Sequence, residues 1–192
     1  MEIGFYFTKV LALATLVGNL ATLGLALFFV IRRSIFDRIM DWLGLRAMGI
    51  GLFLSGASTI GSIIYSEVVG FPACILCWIQ RIFMYPQMFL FGLAWWRKER
   101  LIASYMLMLS LLGILVALYQ WVKDMVLVYG HSTLPCIEVA GLPSCDKIYV
   151  LEMGYITIPM IALNAFALLA IVMWAAIRGE KTRTPSPDVP IP

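Results

Sequence analysis

The sequence has few charged residues. Lys, Arg, Asp and Glu make up 13% of its 192 residues, whereas a soluble globular domain carries about 25%. Hydrophobic residues make up 62%, and the mean hydropathy is +0.93. This composition excludes an ordinary soluble domain and indicates an integral membrane protein. The formal net charge is only +3, which gives no indication of a nucleic-acid partner, and we expect none.

The chain also lacks the basic N-terminal region that signal peptides carry. It begins Met1-Glu2-Ile3-Gly4, and its first apolar run is long and ends at Arg32-Arg33. A signal peptide has a basic start and a shorter apolar segment. We therefore expect the first run to be a retained transmembrane helix.

Five apolar runs are long enough to cross a membrane, since about 20 helical residues span the hydrocarbon core. They cover residues 10–31, 43–65, 78–96, 101–122 and 154–177. We predict an all-α integral membrane protein, in which the last four helices form a four-transmembrane-helix bundle and the first is an additional N-terminal helix. The chain then divides into three segments. Residues 1–42 contain the N-terminal helix and a basic connector, residues 43–177 form the four-helix domain, and residues 178–192 form a polar tail that is predicted to be disordered.

Lysine and arginine are unevenly distributed over the predicted topology. One side has three, Lys9, Lys123 and Lys147, in addition to Arg81 at the edge of a span. The other side has ten: Arg32, Arg33, Arg38, Arg46, Arg97, Lys98, Arg100, Arg178, Lys181 and Arg183. The positive-inside rule places the ten in the cytoplasm. We expect a multi-pass protein of the cell membrane, with its N-terminus outside and its C-terminus in the cytoplasm.

The four cysteines form two pairs, Cys74/Cys77 and Cys136/Cys145, in loops predicted to face the outside. In a soluble cytosolic protein, four such cysteines would suggest zinc. Outside the cytoplasm, disulfides are favoured. We therefore predict redox chemistry and no metal ligand, and keep zinc as a more distant alternative.

The Cys74-Ile75-Leu76-Cys77 segment has the spacing of thiol–disulfide oxidoreductases and lies where a helix is predicted to begin. Backbone N–H groups at a helix start favour a thiolate. Arg81 follows Cys77 by four residues, hence on the same helical face, where its charge would favour a Cys77 thiolate or hold an anionic acceptor. An ionisable residue inside a span is a functional-site hypothesis. The alternatives are a static disulfide or inert buried thiols for Cys74/Cys77, and for Arg81 an interfacial arginine that reaches lipid headgroups.

The second pair, Cys136/Cys145, encloses Gly141 and Pro143, which allow the chain to turn back on itself. Taken alone, this pair would be a structural staple of a long loop that also carries His131. Because a Cys-x-x-Cys lies on the same side, the two pairs together favour a relay by disulfide exchange. We expect His131 to be an ordinary loop residue.

Three further polar positions lie in the spans. Gln87 and Asn164 could line a site or make hydrogen bonds between helices, and we expect the hydrogen bonds. The Tyr119-Gln120-Trp121 segment is either a wall for an aromatic ligand or part of the interfacial aromatic belt.

The run from Cys74 to Arg81, followed by Ile82-Phe83-Met84-Tyr85-Pro86, resembles the signature of the disulfide bond formation protein B (DsbB) family, and is most similar to its BdbC-like branch. The segment Gly154–Met160 resembles that branch's last helix. The resemblance covers residues 43–177, the predicted four-helix domain.

This resemblance implies an enzyme, a four-helix bundle that holds a membrane quinone (ubiquinone or menaquinone) near its outer surface. It would oxidise a thioredoxin-like, DsbA-type dithiol partner and so drive protein disulfide bond formation. Cys136 would form the mixed disulfide with the partner, and Cys145 would pair with Cys136. Cys77 would be the thiolate beside the quinone, with Cys74 as its disulfide partner, and Arg81 would contact the quinone.

Two features depart from the family pattern: the additional first helix, and the eight residues between Cys136 and Cys145, which give that loop a short reach. Two alternatives stay open. One is a membrane redox sensor or structural protein with static disulfides. The other is an enzyme related to vitamin K epoxide reductase, in which the loop pair precedes the Cys-x-x-Cys, whereas here it follows.

Overall fold

The computed structural model describes residues 2–99, 101–130, 134–136 and 139–181. Within these ranges the chain forms five long helices and no β-strand, only a single bridge between Glu152 and Ile156. The helices are α1 (Glu2–Ile31), α2 (Arg33–Ile63), α3 (Ile75–Arg97), α4 (Ala103–Gly130) and α5 (Ile158–Lys181), and α2 continues into a π-helical turn, Ile64–Val68. The prediction of an all-α membrane protein with one helix in front of a four-helix core is confirmed.

Four of these helices, α1, α2, α4 and α5, are long and apolar enough to cross a membrane. Helix α3 is less apolar, because Gln80, Arg81 and Gln87 interrupt its hydrophobic run. Its 23 residues nevertheless extend about 34 Å, which matches the hydrocarbon thickness. Gln80 and Gln87 are buried, and α3 packs between α2 and α4. The polar groups of α3 therefore face the interior of the bundle.

Several helices extend beyond the apolar runs that predicted them. The expected connector at 32–41 is helical from Arg33 onward, and α4 continues past residue 122 to Gly130. Helix α5 starts at Ile158 rather than at 154, because the backbone groups of Glu152 and Ile156 pair with each other. Hydropathy marks the part of a helix that lies in lipid, whereas its backbone hydrogen bonds continue into polar sequence.

Two of the predicted boundaries bear on the domain division. Helix α2 runs without a break through residues 42 and 43, where the first division was placed, and α5 takes up residues 178–181 of the predicted tail. The division into three segments stays a prediction. His131 and residues 182–192 lie outside the described residues.

Helix α5 lies at the centre of the bundle, packed against α2 and α4, with α1 against its remaining side. Phe91 of α3 and three side chains of α5, Phe166, Leu169 and Met173, are fully buried there. The outward faces carry exposed leucine, valine and phenylalanine side chains, which suit contact with lipid tails.

Hydrogen bonds between polar side chains connect α4 with α3 and α5 with α1. Ser110 of α4 donates to Gln87 Oε1 of α3 over 3.1 Å. Asn164 Nδ2 of α5 donates to Asn19 Oδ1 of α1 over 2.6 Å. The predicted interhelical role of Gln87 and Asn164 is confirmed, and the second bond shows how α1 is fixed to the bundle.

Helix α2 approaches the backbone of α5 closely at Gly44. A Cβ atom built there would lie 2.6 Å from the carbonyl oxygen of Ala175. This is a backbone atom and cannot rotate away, so only glycine allows the two helices to lie at this distance.

We expect Gly44→Ala to lower the free energy of unfolding by about 1–3 kcal/mol, because the added methyl group overpacks the α2–α5 contact. Gly56→Ala, in the same helix, is the matched control, since no atom lies within 4 Å of its Cβ position. Thermal unfolding in detergent measures both. Equal transition temperatures for the two variants would contradict the packing described here.

Candidate functional site

Cys74 and Cys77 lie at the amino-terminal end of α3. Cys74 is the extended N-cap residue, with φ −75° and ψ 174°, and its carbonyl accepts the first helical hydrogen bond from Trp78 N at 3.0 Å. Cys77 lies in the first turn. The two sulfur atoms are 3.5 Å apart and are not bonded to each other. The pair is therefore present as a dithiol.

The surroundings of Cys74 favour its ionised form. A hydrogen bond with the Cys77 thiol lowers the pKa of Cys74 to about 6, and it outweighs burial, which acts in the opposite direction. The backbone N–H groups of Cys77 and Leu76, at the start of the helix, lower this pKa further. The surroundings therefore favour the thiolate form of Cys74. A thiolate at the helix start was expected from the sequence.

Arg81 lies against α2. Its Nε donates to Ser62 Oγ at 3.0 Å and its Nη2 to Ser62 O at 3.2 Å. The guanidinium carbon lies 5.1 Å from the centre of the Trp78 ring. These contacts hold the charge within the bundle. The expected effect of Arg81 on a Cys77 thiolate stays a prediction.

Gln120 of α4 contacts both sulfur atoms. Its Nε2 donates to Cys77 Sγ at 3.4 Å and to Cys74 Sγ at 3.6 Å. Its Oε1 accepts a hydrogen bond from Gln80 Nε2 at 2.8 Å, which fixes the orientation of the amide. Sequence reasoning named Gln120 only as part of a possible wall. The available signal was an amide within the apolar run of α4, four residues before Asp124.

Cys136 and Cys145 form a disulfide, with their Cα atoms 6.5 Å apart. Cys145 is buried, whereas Cys136 is partly exposed. Asp146, the next residue, makes an ion pair with Lys123, whose side chain is fully buried in α4. The ion pair anchors the Cys145 side of the loop to the end of α4.

A cavity of about 380 Å³ brings these groups together. Its polar lining includes Cys74, Cys77, Gln80, Arg81, Gln120 and Cys145, together with the buried carboxyl group of Asp124 and several hydroxyl groups. Three of the four cysteines thus share one cavity with the arginine. In the described part of the chain, no three Cys, His, Asp or Glu side chains are grouped so as to hold a metal ion.

Residues 45–176 match the sequence profile of the family described as disulfide bond formation protein DsbB. The chain belongs to this family. The protein is therefore a membrane thiol oxidoreductase of disulfide bond formation, as its resemblance to the BdbC-like branch predicted. The matched segment begins inside α2, so α1 lies outside it.

Curated relatives carry corresponding names. Disulfide bond formation protein C of Bacillus subtilis (strain 168) is 36% identical over 124 residues, which cover 64% of this chain and 86% of that protein. Probable disulfide formation protein C 1 of Bacillus anthracis is 35% identical over 123 residues, with the same shares. The SPbeta prophage-derived disulfide bond formation protein B of Bacillus subtilis (strain 168) is 35% identical over 117 residues, covering 61% of this chain and 76% of that protein. No solved structure matches the chain significantly.

We expect the dithiol form to react with a small alkylating or thiosulfonate reagent at a rate that rises with pH around a midpoint near 6, the pKa of Cys74. In Cys77→Ala the thiol donor is lost, so this midpoint moves up toward the ordinary cysteine pKa of about 8.5. Peptide mass spectrometry over a pH series measures the rate at Cys74.

The control for this titration is the Cys136→Ser/Cys145→Ser variant, which keeps the hydrogen bonds around Cys74 and should keep the wild-type midpoint. A wild-type midpoint already at the ordinary cysteine value would show that the Cys77 thiol does not stabilise the thiolate.

Proposed function

We propose that the protein takes two electrons from a thioredoxin-like, DsbA-type dithiol protein outside the cytoplasm and delivers them to a membrane quinone. The observation that carries this proposal is the shared cavity, lined by Cys145, by Cys74 and Cys77, and by Arg81. A relay needs its donor pair and its acceptor pair within reach of one another. The cavity supplies a common space for both.

The partner's thiolate attacks Cys136 Sγ, the Cys136–Cys145 bond breaks, and Cys145 leaves as a thiolate. The partner's second thiolate then attacks the mixed disulfide, so the partner departs oxidised and the loop pair is left reduced. The different burial of the two sulfurs supports this order, because Cys136 is the more exposed. The relatives are named as disulfide formation proteins, which supports a partner protein that undergoes thiol–disulfide exchange.

The next exchange is internal. With Cys74 and Cys77 joined as a disulfide, the Cys145 thiolate attacks Cys74 Sγ, and Cys77 leaves as a thiolate. Cys136 then attacks Cys145 Sγ, which restores the loop disulfide and releases Cys74. Two electrons have moved from one pair to the other. The structure has this final arrangement, with Cys136 bonded to Cys145 and with Cys74 and Cys77 reduced. The Gln120 amide lies where it would stabilise both sulfur atoms that the exchange releases.

The cavity has the chemistry that a quinone requires. Its volume, about 380 Å³, falls within the ordinary range for small-molecule sites. N–H donors of Gln80, Arg81 and Gln120 lie at the end that carries the cysteines, and the remaining wall is mainly apolar. When bound, a quinone, ubiquinone or menaquinone, accepts two electrons and two protons. Arg81, fixed by Ser62, would hold its carbonyl oxygen.

The same proposal includes the orientation in the cell membrane. Both cysteine pairs lie at the end of the bundle where α3 begins, and α3 ends in Arg97 at the opposite end. Arg178 of α5 pairs there with Asp37 of α2. By the positive-inside rule, these charges support an orientation with the cysteine end outside the cytoplasm.

The test uses the purified protein in detergent, without oxygen, with a reduced thioredoxin-like dithiol protein and a soluble quinone. We expect catalysed loss of quinone absorbance in the wild type and none above background in Cys77→Ser, because the acceptor pair cannot then form. Wild-type rates in Cys77→Ser would refute the relay. Failure of the wild type to catalyse, with both cysteine pairs unchanged, would favour a static or sensor role.

Two arginine variants refine the assay. Arg81→Met should raise the KM for quinone about tenfold or more, as expected for the loss of a charged hydrogen-bond donor. Arg46→Met is the matched control, since Arg46 also lies over a tryptophan ring, Trp42 at 4.7 Å, but does not line the cavity. Equal KM values for these two variants would remove Arg81 from the quinone site.

A further inference from the structure

Helix α1 forms part of the cavity wall, although it lies outside the segment that matches the family. Leu11, Ala14 and Thr15, which share one face of α1, line the cavity. The family profile begins at residue 45, after α1 has ended. A site formed only by the matched four helices would therefore lack one of its walls.

The cavity is long and changes character along its length. On α2 its lining runs from Ser62, beside Arg81, to Phe53, and these nine steps of helix correspond to about 14 Å. The end near Ser62 holds the cysteines and the amides. Toward the far end the lining is mainly apolar, with Phe53 and Leu54 of α2 and Ala165 and Leu168 of α5, and the amide of Asn164 there is bonded to Asn19. Leu11 of α1 lies beside Gly61, next to Ser62, and Ala14 follows one turn farther along α1.

The cavity opens sideways below its polar end. Three residues that line it are also exposed on the outer surface of the bundle: Ala14 of α1, and Phe53 and Ala57 of α2. Phe53 is 73% exposed. An opening between two membrane-spanning helices at this depth faces lipid tails rather than water. The cavity therefore connects the cysteines to the hydrocarbon core.

The contacts of α1 fix it in this position. Lys9 makes an ion pair of 2.7 Å with Glu152, in the segment after the second cysteine pair. Farther along α1, Asn19 accepts the hydrogen bond from Asn164 of α5. Gly18 allows this approach, because a Cβ there would lie 2.3 Å from Asn164 Oδ1. Residues 11–15 lie between the two anchors.

We propose that α1 and α2 together frame a lateral entrance through which the isoprenoid tail of the quinone lies, with Ala14 and Ala57 on its two sides. The inference rests on the proposed function, which places the head group at Arg81. A tail attached to that head group must leave the polar end along the apolar part of the same cavity. A lipid acyl chain has similar chemistry, and the experiment separates the two.

The test introduces a large side chain into the entrance. Ala14→Trp and Ala57→Trp, one on each side, are compared with Leu13→Trp, which changes an exposed residue of α1 that does not line the cavity. Each protein is purified from membranes, its monodispersity is checked by size-exclusion chromatography, and its bound quinone and phospholipid are extracted and quantified by mass spectrometry. Either entrance variant suffices if the other does not fold.

We expect the entrance variants to retain about tenfold less quinone than Leu13→Trp, as overpacking of a binding site predicts. The ratio of kcat/KM for a long-tailed quinone to that for a tail-less benzoquinone should fall by a similar factor. Equal quinone content and equal ratios in all three variants would overturn the inference. Loss of phospholipid with retention of quinone would also overturn it, in favour of an acyl chain.

These outcomes separate the inference from the function on which it rests. A wild-type protein that retains no quinone and reduces neither substrate would overturn both. A wild-type protein that reduces both quinones, with entrance variants that behave as Leu13→Trp does, would overturn only the role of α1.

Discussion

Hydrogen bonds at the edge of an apolar bundle favour the thiolate of Cys74, and the proposed relay depends on this stabilisation. The thiol of Cys77 and the backbone N–H groups at the start of α3 favour the charge. A disulfide whose reduced form is stabilised is the stronger oxidant. In the proposed relay, this stabilisation favours the Cys74/Cys77 pair as the electron acceptor.

The membrane adds a second constraint, because polar groups inside it find no water and need partners in the protein. Gln120 is held by Gln80, and Arg81 by Ser62. These four side chains line one cavity. The hydrogen bonds that compensate Gln120 and Arg81 for the absence of water therefore also fix the orientation of their N–H groups at the cavity. The Lys123–Asp146 ion pair fixes the loop that carries Cys145 at the same end. The need of buried polar groups for partners in the membrane thus both stabilises the bundle and positions the side chains of the site.

Much of this arrangement was predictable from the sequence. Apolar length and cysteine spacing predicted the helices, the two pairs and the place of Cys74 at a helix start, because these depend on local sequence. The extent of α4 beyond residue 122 was missed, since Lys123 and Asp124 interrupt the hydropathy that marks a span. Gln120 was named without its role, because its contacts with the cysteines bridge more than forty residues of sequence. Contacts of that kind depend on how α3 and α4 pack.

In the proposed relay, electrons pass from the loop pair to the Cys74/Cys77 pair. The most direct measurement starts from protein with both pairs oxidised, without quinone or oxygen, and adds one equivalent of a reduced thioredoxin-like dithiol. Acid quenching, alkylation and peptide mass spectrometry then locate the reduced cysteines. We expect alkylation of Cys74 and Cys77 with Cys136–Cys145 still bonded. Alkylation of Cys136 and Cys145, with Cys74 and Cys77 still joined, would contradict the relay.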